Sequence, residues 1–395
     1  MSTVLQLGLG LQGKAVIHDL SRNDGISEIV VAEMDPRTAG EYLQQHGYTR
    51  SRVVGLDASD ENQLRSLIAA VRPDVLVSML PADFNYPMAR AAVEAGCNFV
   101  SSSYAGRVNE LDAGARDRGV TVLPEMGMDP GIDLVLARLA LGELDEVHGL
   151  YSYGTGLPER SCADHNPLHY KITWTFDGVL KAYKRPARML RQGREVTIAG
   201  EEIFKEEHGH TVEIEGLGPL EAYPNGDAIH YVDVFGLGDT IRDMGRFALR
   251  YPGHRSFWLQ MAALGFLEDA PLVVGRDEIS PRQFLVRHLT PRLQFAPHER
   301  DVIVLRVKAW GRKEGRSRRV TYQLVDYRDL ATGLFAMNRT VGYTASIGAQ
   351  MILDGRIAAR GVLSPTRDVP AEDLLRELKS RGMTITRFVE EWEEV

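Results

Sequence analysis

The sequence predicts an α/β protein: a doubly wound parallel sheet, with an inserted, mainly antiparallel α+β portion after it. Three observations lead there. Apolar runs and amphipathic stretches alternate from residue 3 to residue 125, the rhythm of βα units. The first run is followed at once by Gly8-Leu9-Gly10-Leu11-Gln12-Gly13. Near Asp129-Pro130-Gly131 the alternation stops, and β-type runs dominate to about residue 335.

The elements follow in order. Residues 3–8 read as a buried strand, and the stretch after Gly13 as a helix to about residue 21. The run ending in Glu33 is a second strand, followed by a helix at 37–46. Strands at 52–58, 74–80, 98–103 and 120–125 then alternate with helices at 61–71, 87–96 and 108–119. Beyond the breakers Pro130 and Gly131, residues 132–144 read as a helix. VHGLYSYG, LHYKITWTF, REVTIAG, HTVEIEG, DVIVLRVKAWG and RRVTYQLVDY carry strand signals, the last two joined by a KEGRS turn. Residues 342–353 read as a small-residue helix, and 371–382 as an amphipathic helix stopped by Gly382. The expected domains are 1–133 (dinucleotide-binding), 134–340 (substrate-binding and dimerisation) and 341–395 (helices returning to the first domain).

Composition narrows the function classes. A chain of 395 residues, 44% hydrophobic and 25% charged, suits two or three globular domains. A net charge of −8 argues against nucleic acid. No apolar run reaches membrane-spanning length, so no membrane partner is expected. The start, MSTVLQLG, lacks a basic region and a cleavage pattern and reads as the first strand, which points to the cytoplasm. Cys97 and Cys162 form no disulfide framework or metal motif, and no HExxH, CxxC or carboxylate cluster marks a metal site.

The glycine loop carries the most specific chemistry. In a Rossmann turn the first glycine allows the tight bend, the second lets backbone N–H groups approach a pyrophosphate, and the third lets helix and strand pack closely. The helix start faces the phosphates with partial positive charge. Gly8, Gly10, Leu11, Gln12 and Gly13 are therefore candidate cofactor residues. Glu33 ends the second strand twenty residues after Gly13, where an acid binds ribose hydroxyls and repels a 2′-phosphate. That favours NAD; Arg37 leaves NADP open. Met79, Leu80 and Pro81 after the fourth strand, and Ser103 after the fifth, are further cofactor candidates, because ligands sit at the ends of parallel strands. Tyr104 is a substrate candidate. Asp129 either caps the following helix or faces the cleft beside the nicotinamide.

GLGLQG, VSSSY (100–104), EMGMDPGID (125–133), YGTGLPE with DHNPLHYKITWTFDGVL (153–180), LEAYPNGD (220–227) and LRYPGH (249–254) together resemble the saccharopine dehydrogenase family. The resemblance runs in order along nearly the whole chain. It implies a Rossmann domain with an inserted substrate domain, a homodimer, a nicotinamide cofactor and an amino-acid substrate oxidised at a carbon bearing nitrogen. The implied activity is that of an L-glutamate-forming saccharopine dehydrogenase. Lysine 6-dehydrogenase, a carboxynorspermidine-type dehydrogenase and a non-catalytic NAD-binding redox sensor are the alternatives. Gly154 stands where the family pattern has cysteine, and Asp177 and Gly226 where it has arginines. On this reading Asp129 orients or deprotonates the amine, Tyr153 and Lys171 assist as catalytic groups, Asn166 lines the substrate side, and Arg250 binds a carboxylate in bidentate fashion.

Overall fold

The computed structural model describes residues 1–393. The chain divides into two compact units: Met1–Leu136 with Asn338–Gly382, and Ala137–Met337 with Met383–Val395.

The first unit is built on strands β1 (Ser2–Leu7), β2 (Ile26–Glu33), β3 (Ser51–Gly55), β4 (Val75–Ser78), β5 (Asn98–Ser101) and β6 (Thr121–Leu123). With the short strand Gly361–Val362 they form one sheet in the order Gly361–Val362, β6, β5, β4, β1, β2, β3. All its pairings are parallel. The order runs outward from β1 in two directions, so the sheet switches between β1 and β4. Ligands of open α/β sheets bind at such a point, beyond the strands' carboxyl ends. β1 and β4 are buried apolar runs because helices cover both faces.

Helix starts follow local chemistry. Helix α1 (Leu11–Leu20) begins directly after Gly10. Asp35 caps α2 (Pro36–Gln45) by accepting from the Thr38 N–H at 3.2 Å, with Pro36 in the first turn. Asp60 caps α3 (Glu61–Val71) through the Asn62 and Gln63 N–H groups. The small residues of Ala336–Leu353 allow close packing: a Cβ on Gly342 would lie 2.5 Å from the Gln12 carbonyl oxygen of α1. Asp19 of α1 ties the same helix down, accepting from Ser346 Oγ (2.7 Å), Gln350 Nε2 (2.8 Å) and Arg381 Nε (2.6 Å).

The second unit holds a nine-stranded sheet. Its main path runs His210–Ile214, Gly218–Pro224, Asp243–Arg250, Glu146–Pro158, Asp301–Lys313, Arg316–Tyr327, Ile385–Trp392. The strands Ala187–Arg191 and Arg194–Ile198 branch from Asp243–Arg250. One pairing, Asp243–Arg250 with Glu146–Pro158, is parallel, and the rest are antiparallel. Glu314 (φ 50°) and Gly315 (φ 79°) make the turn between Asp301–Lys313 and Arg316–Tyr327, the left-handed pair that a tight hairpin needs.

The α/β class, the parallel sheet and the mainly antiparallel second sheet agree with the expectation. Three particulars do not. LHYKITWTF is not a strand: residues 168–175 are irregular, and Phe176 opens the helix Phe176–Ala182. The alternation is real, but Lys171 and Tyr170 both turn inward and are buried, so tertiary contacts override local pattern. Ala187–Arg191, Gly218–Pro224 and Asp243–Arg250 are strands where none was expected, since Pro219, Pro224 and Gly245 mask the β character of the last two. The chain's end is not wholly helical: Ile385–Trp392 is a strand of the second sheet.

Candidate functional site

In the first unit the glycine loop has the geometry that its spacing demands. Gly8 has φ 87°, a left-handed conformation natural only to glycine. A Cβ on Gly13 would lie 2.3 Å from the Gly8 carbonyl oxygen. Gly10 is different: no heavy atom lies within 4 Å of where its Cβ would be. Open backbone at the middle glycine, beside a helix start, is what a pyrophosphate requires.

Gln6 holds this loop closed. Its Nε2 donates to the Gly8 carbonyl at 2.9 Å and the Gly13 carbonyl at 2.8 Å. Sequence reasoning passed over Gln6. The available signal was a polar residue inside an apolar strand, which must find partners when buried. Glu33 reaches back to the same loop, its Oε2 accepting from the Leu9 N–H at 2.6 Å and its Oε1 from the Met34 N–H at 2.9 Å. The carboxylate at the end of β2 is thus oriented at the loop. Asp35 is a second carboxylate nearby, held below its usual range by Thr38. Leu11 and Gln12 open α1. Met79 and Leu80 flank Gly8: a Cβ there would meet Leu80 Cδ2 at 3.3 Å and the Met79 carbonyl oxygen at 3.4 Å. Pro81 follows, exposed. These residues fit a dinucleotide.

The end of β5 and the Asp129 turn also lie together. Glu125 N donates to the Ser103 carbonyl at 2.9 Å, and Met126 N to the Ser101 carbonyl at 2.8 Å. Gly127 approaches Ser102, its would-be Cβ 3.1 Å from Ser102 Cβ. Tyr104 is half exposed, and its carbonyl accepts from Asn85 Nδ2 at 3.0 Å. The Asp129–Pro130 peptide is cis, and Gly131 has φ 145°. Asp133 is the carboxylate seen accepting at this helix start, from the Gly131 N–H at 2.8 Å. Burial pushes its carboxyl up to about 7, with the Glu125 charge acting the same way.

In the second unit the expected polar residues are mostly committed to structure. Tyr153 is a core aromatic. Its ring stacks on Phe247 with centroids 5.3 Å apart, and its hydroxyl meets His210 Nε2 at 3.0 Å. Burial, with Lys308, Arg255 and Arg191 around it, pushes His210 down to about 4, so the imidazole is neutral near pH 7. Asn166 closes its own loop: Oδ1 accepts from Leu168 N at 3.1 Å, and Nδ2 donates to the Tyr170 carbonyl at 3.0 Å. Lys171 is buried and paired, with Nζ 2.5 Å from Glu299 Oε2 and 3.2 Å from the Gln294 carbonyl. Burial alone would raise Glu299, but Lys171, the Ala296 N–H and His165 outweigh it and hold the carboxyl at about 2. Three expected site residues therefore have their polar atoms occupied, Asn166 within its own loop and Tyr153 and Lys171 by residues distant in sequence that the fold brings to them.

Arg250 differs. Its Nη1 donates to Thr155 Oγ1 at 2.7 Å and the Leu249 carbonyl at 2.8 Å, and its guanidinium lies over the Tyr170 and Tyr223 rings. It is buried, yet among the described residues no carboxylate pairs with it. Its Nε and the Tyr170 hydroxyl, also buried, have no hydrogen-bond partner.

Two family models tile this chain. Residues 4–123 match the saccharopine dehydrogenase NADP binding domain, and residues 127–383 match the saccharopine dehydrogenase C-terminal domain. The chain belongs to the saccharopine dehydrogenase family. Residues 4–123, within the first unit, are accordingly the family's nicotinamide-dinucleotide-binding domain. The chain is 28% identical to the mitochondrial alpha-aminoadipic semialdehyde synthase of Bos taurus, over 97% of its own length and 47% of the relative's. It thus spans about half the length of that relative. It is 27% identical to the NADP(+), L-glutamate-forming saccharopine dehydrogenase of Saccharomyces cerevisiae, covering 96% of itself and 97% of that protein. The solved apo structure of that activity from the same yeast superposes with a TM-score of 0.86 at 26% identity, over 99% of this chain and 100% of the other. Among the described residues no helix is long and apolar enough to cross a membrane.

Proposed function

We propose that this chain is a dehydrogenase of the CH–NH bond of a lysine-derived amino acid, most closely an L-glutamate-forming saccharopine dehydrogenase, that it uses NAD, and that it works as a homodimer. The observation that carries the reading is the oriented carboxylate of Glu33 on a fully formed glycine loop, in a chain whose residues 4–123 and 127–383 match the family's two domains.

When bound, the dinucleotide supplies the hydride acceptor, and the chain supplies position and proton traffic. Hydride leaves a carbon beside nitrogen only when the nitrogen lone pair is free, so an ammonium substrate must first lose a proton. Asp129, in the turn packed against the end of β5, is the group assigned to hold or deprotonate that amine, and Ser103 and Tyr104, which follow β5, are assigned to cofactor and substrate. Tyr153, Lys171 and Asn166 are left to scaffolding. Arg250, a buried cation with an unused Nε–H whose guanidinium lies over the ring of Tyr170, is assigned to a substrate carboxylate. Oxidation of lysine itself is the second reading. Asp177, where the family pattern carries arginine, is held by Lys181 Nζ at 2.9 Å and by Arg282, so that position supplies no arginine for a second substrate carboxylate.

The test is turnover with NAD and NADP against saccharopine, lysine and carboxynorspermidine. Saccharopine with NAD is expected to be fastest. Tight dinucleotide binding without reduction by any of the three would favour a sensor instead. Glu33→Ala is expected to weaken NAD about 10- to 100-fold, since it removes the charged acceptor for the ribose hydroxyls. NADP binding should be unchanged or tighter. Equal losses for both cofactors would overturn the NAD assignment.

A further inference from the structure

The second sheet ends in an exposed edge strand, Ile385–Trp392. Ile385–Trp392 pairs along eight positions with Arg316–Tyr327, from Ser317 opposite Trp392 to Leu324 opposite Ile385. It is the last strand in the sheet order, and among the described residues no strand pairs with its outer side. An eight-residue edge leaves a row of N–H and C=O groups ready to pair. Phe388 and Trp392, on one face of this strand, are 48% and 41% exposed. Arg387, Val389 and Glu391 share the other face, opposite Tyr322, Val320 and Arg318.

Two copies related by a twofold axis normal to the sheet pair antiparallel, and only positions on the same face can then stand opposite each other. With Val389 on the axis, Arg387 of each copy faces Glu391 of the other, so two opposite-charge pairs form. Phe388 and Trp392 then come diagonal to the aromatic residues of the second copy, within ordinary cross-strand reach. An axis at Phe388 leaves Arg387 opposite Val389 and forfeits both pairs. An axis at Arg387 or Glu390 sets like charges face to face. Charge therefore selects one register.

We propose that two copies of this chain associate through the outer edge of Ile385–Trp392, with Val389 on the twofold axis. This rests on the homodimer assigned above and names its surface. The experiment is sedimentation of the full chain at micromolar concentration, with circular dichroism confirming that each variant is folded. The wild type should sediment as a dimer. Arg387→Glu and Glu391→Arg should each raise the dimer dissociation constant about tenfold or more, because each turns two attractions into repulsions. The double variant Arg387→Glu/Glu391→Arg should recover dimerisation, since it restores opposite charges across the axis. Within one chain Arg387 now pairs with Glu143 and Glu391 with Arg318. The double variant sets like charges together at both of these places, so a purely intrachain role predicts further loss instead of recovery. A double variant no better than either single one overturns the proposal. So does a dimer that both single variants leave intact, although the homodimer reading survives that outcome. A monomeric wild type overturns both.

Discussion

Lys171→Met should destabilise the protein by about 3–5 kcal/mol, the usual cost of removing one partner from a buried ion pair. Lys171 and Glu299 are both buried, and the ammonium is the strongest group holding the carboxyl at about 2. Without it, Glu299 is a buried charge left with the Ala296 N–H and His165. The pH dependence gives the sign. Glu299 titrates lower in the folded chain than at its ordinary value of 4.5. Its contribution is therefore complete above about pH 4.5 and is lost as pH falls towards 2. The wild type should gain stability between about pH 2 and 4.5 from this group, and Lys171→Met should flatten that limb. Urea unfolding at a series of pH values checks both. A variant that unfolds like the wild type but turns over far more slowly would return Lys171 to the chemistry.

The contrast between Lys171 and Gly13 shows what a sequence exposes. The cofactor loop is local: its three glycines, the strand before them and the helix after them are neighbours in the chain, and each position has one physical requirement. Glu33 is twenty residues away but sits at a fixed place, the end of the next parallel strand, so it was legible as well. The parallel sheet followed for the same reason, since βα units repeat a short-range pattern. The second unit is built from long-range pairings. Glu299 lies 128 residues from Lys171, and His210 lies 57 residues from Tyr153. No local pattern announces such partners, so polar residues that are spent on them look like site residues until the fold is known. Strands interrupted by Pro219, Pro224 or Gly245 were hidden for a related cause: their neighbours, rather than their own sequence, make them strands. The resemblance to the family supplied the second unit's place in the chain, but not which of its side chains remain available.

Gly13→Val should abolish measurable dinucleotide binding, a loss of about 100-fold or more in affinity, as expected when a phosphate cradle loses its geometry. The new Cβ would fall 2.3 Å from the Gly8 carbonyl oxygen and 3.1 Å from Gln6 Nε2. The first contact is with backbone and cannot be relieved by a rotamer change, so α1 must move away from β1. That movement also breaks the Gln6 staple between Gly8 and Gly13, and the melting temperature should fall. Gly10→Ala separates the two effects. Gly10 already has φ −65° and nothing within 4 Å of its Cβ position, so alanine should leave the melting temperature unchanged. It should nonetheless weaken NAD, because the methyl group occupies the space over which the pyrophosphate passes. Titration by protein fluorescence, with a melting curve for each variant, reads both quantities. If Gly10→Ala binds NAD as tightly as the wild type, the pyrophosphate does not cross the middle glycine. If Gly13→Val retains NAD, the loop is a turn between strand and helix and nothing more.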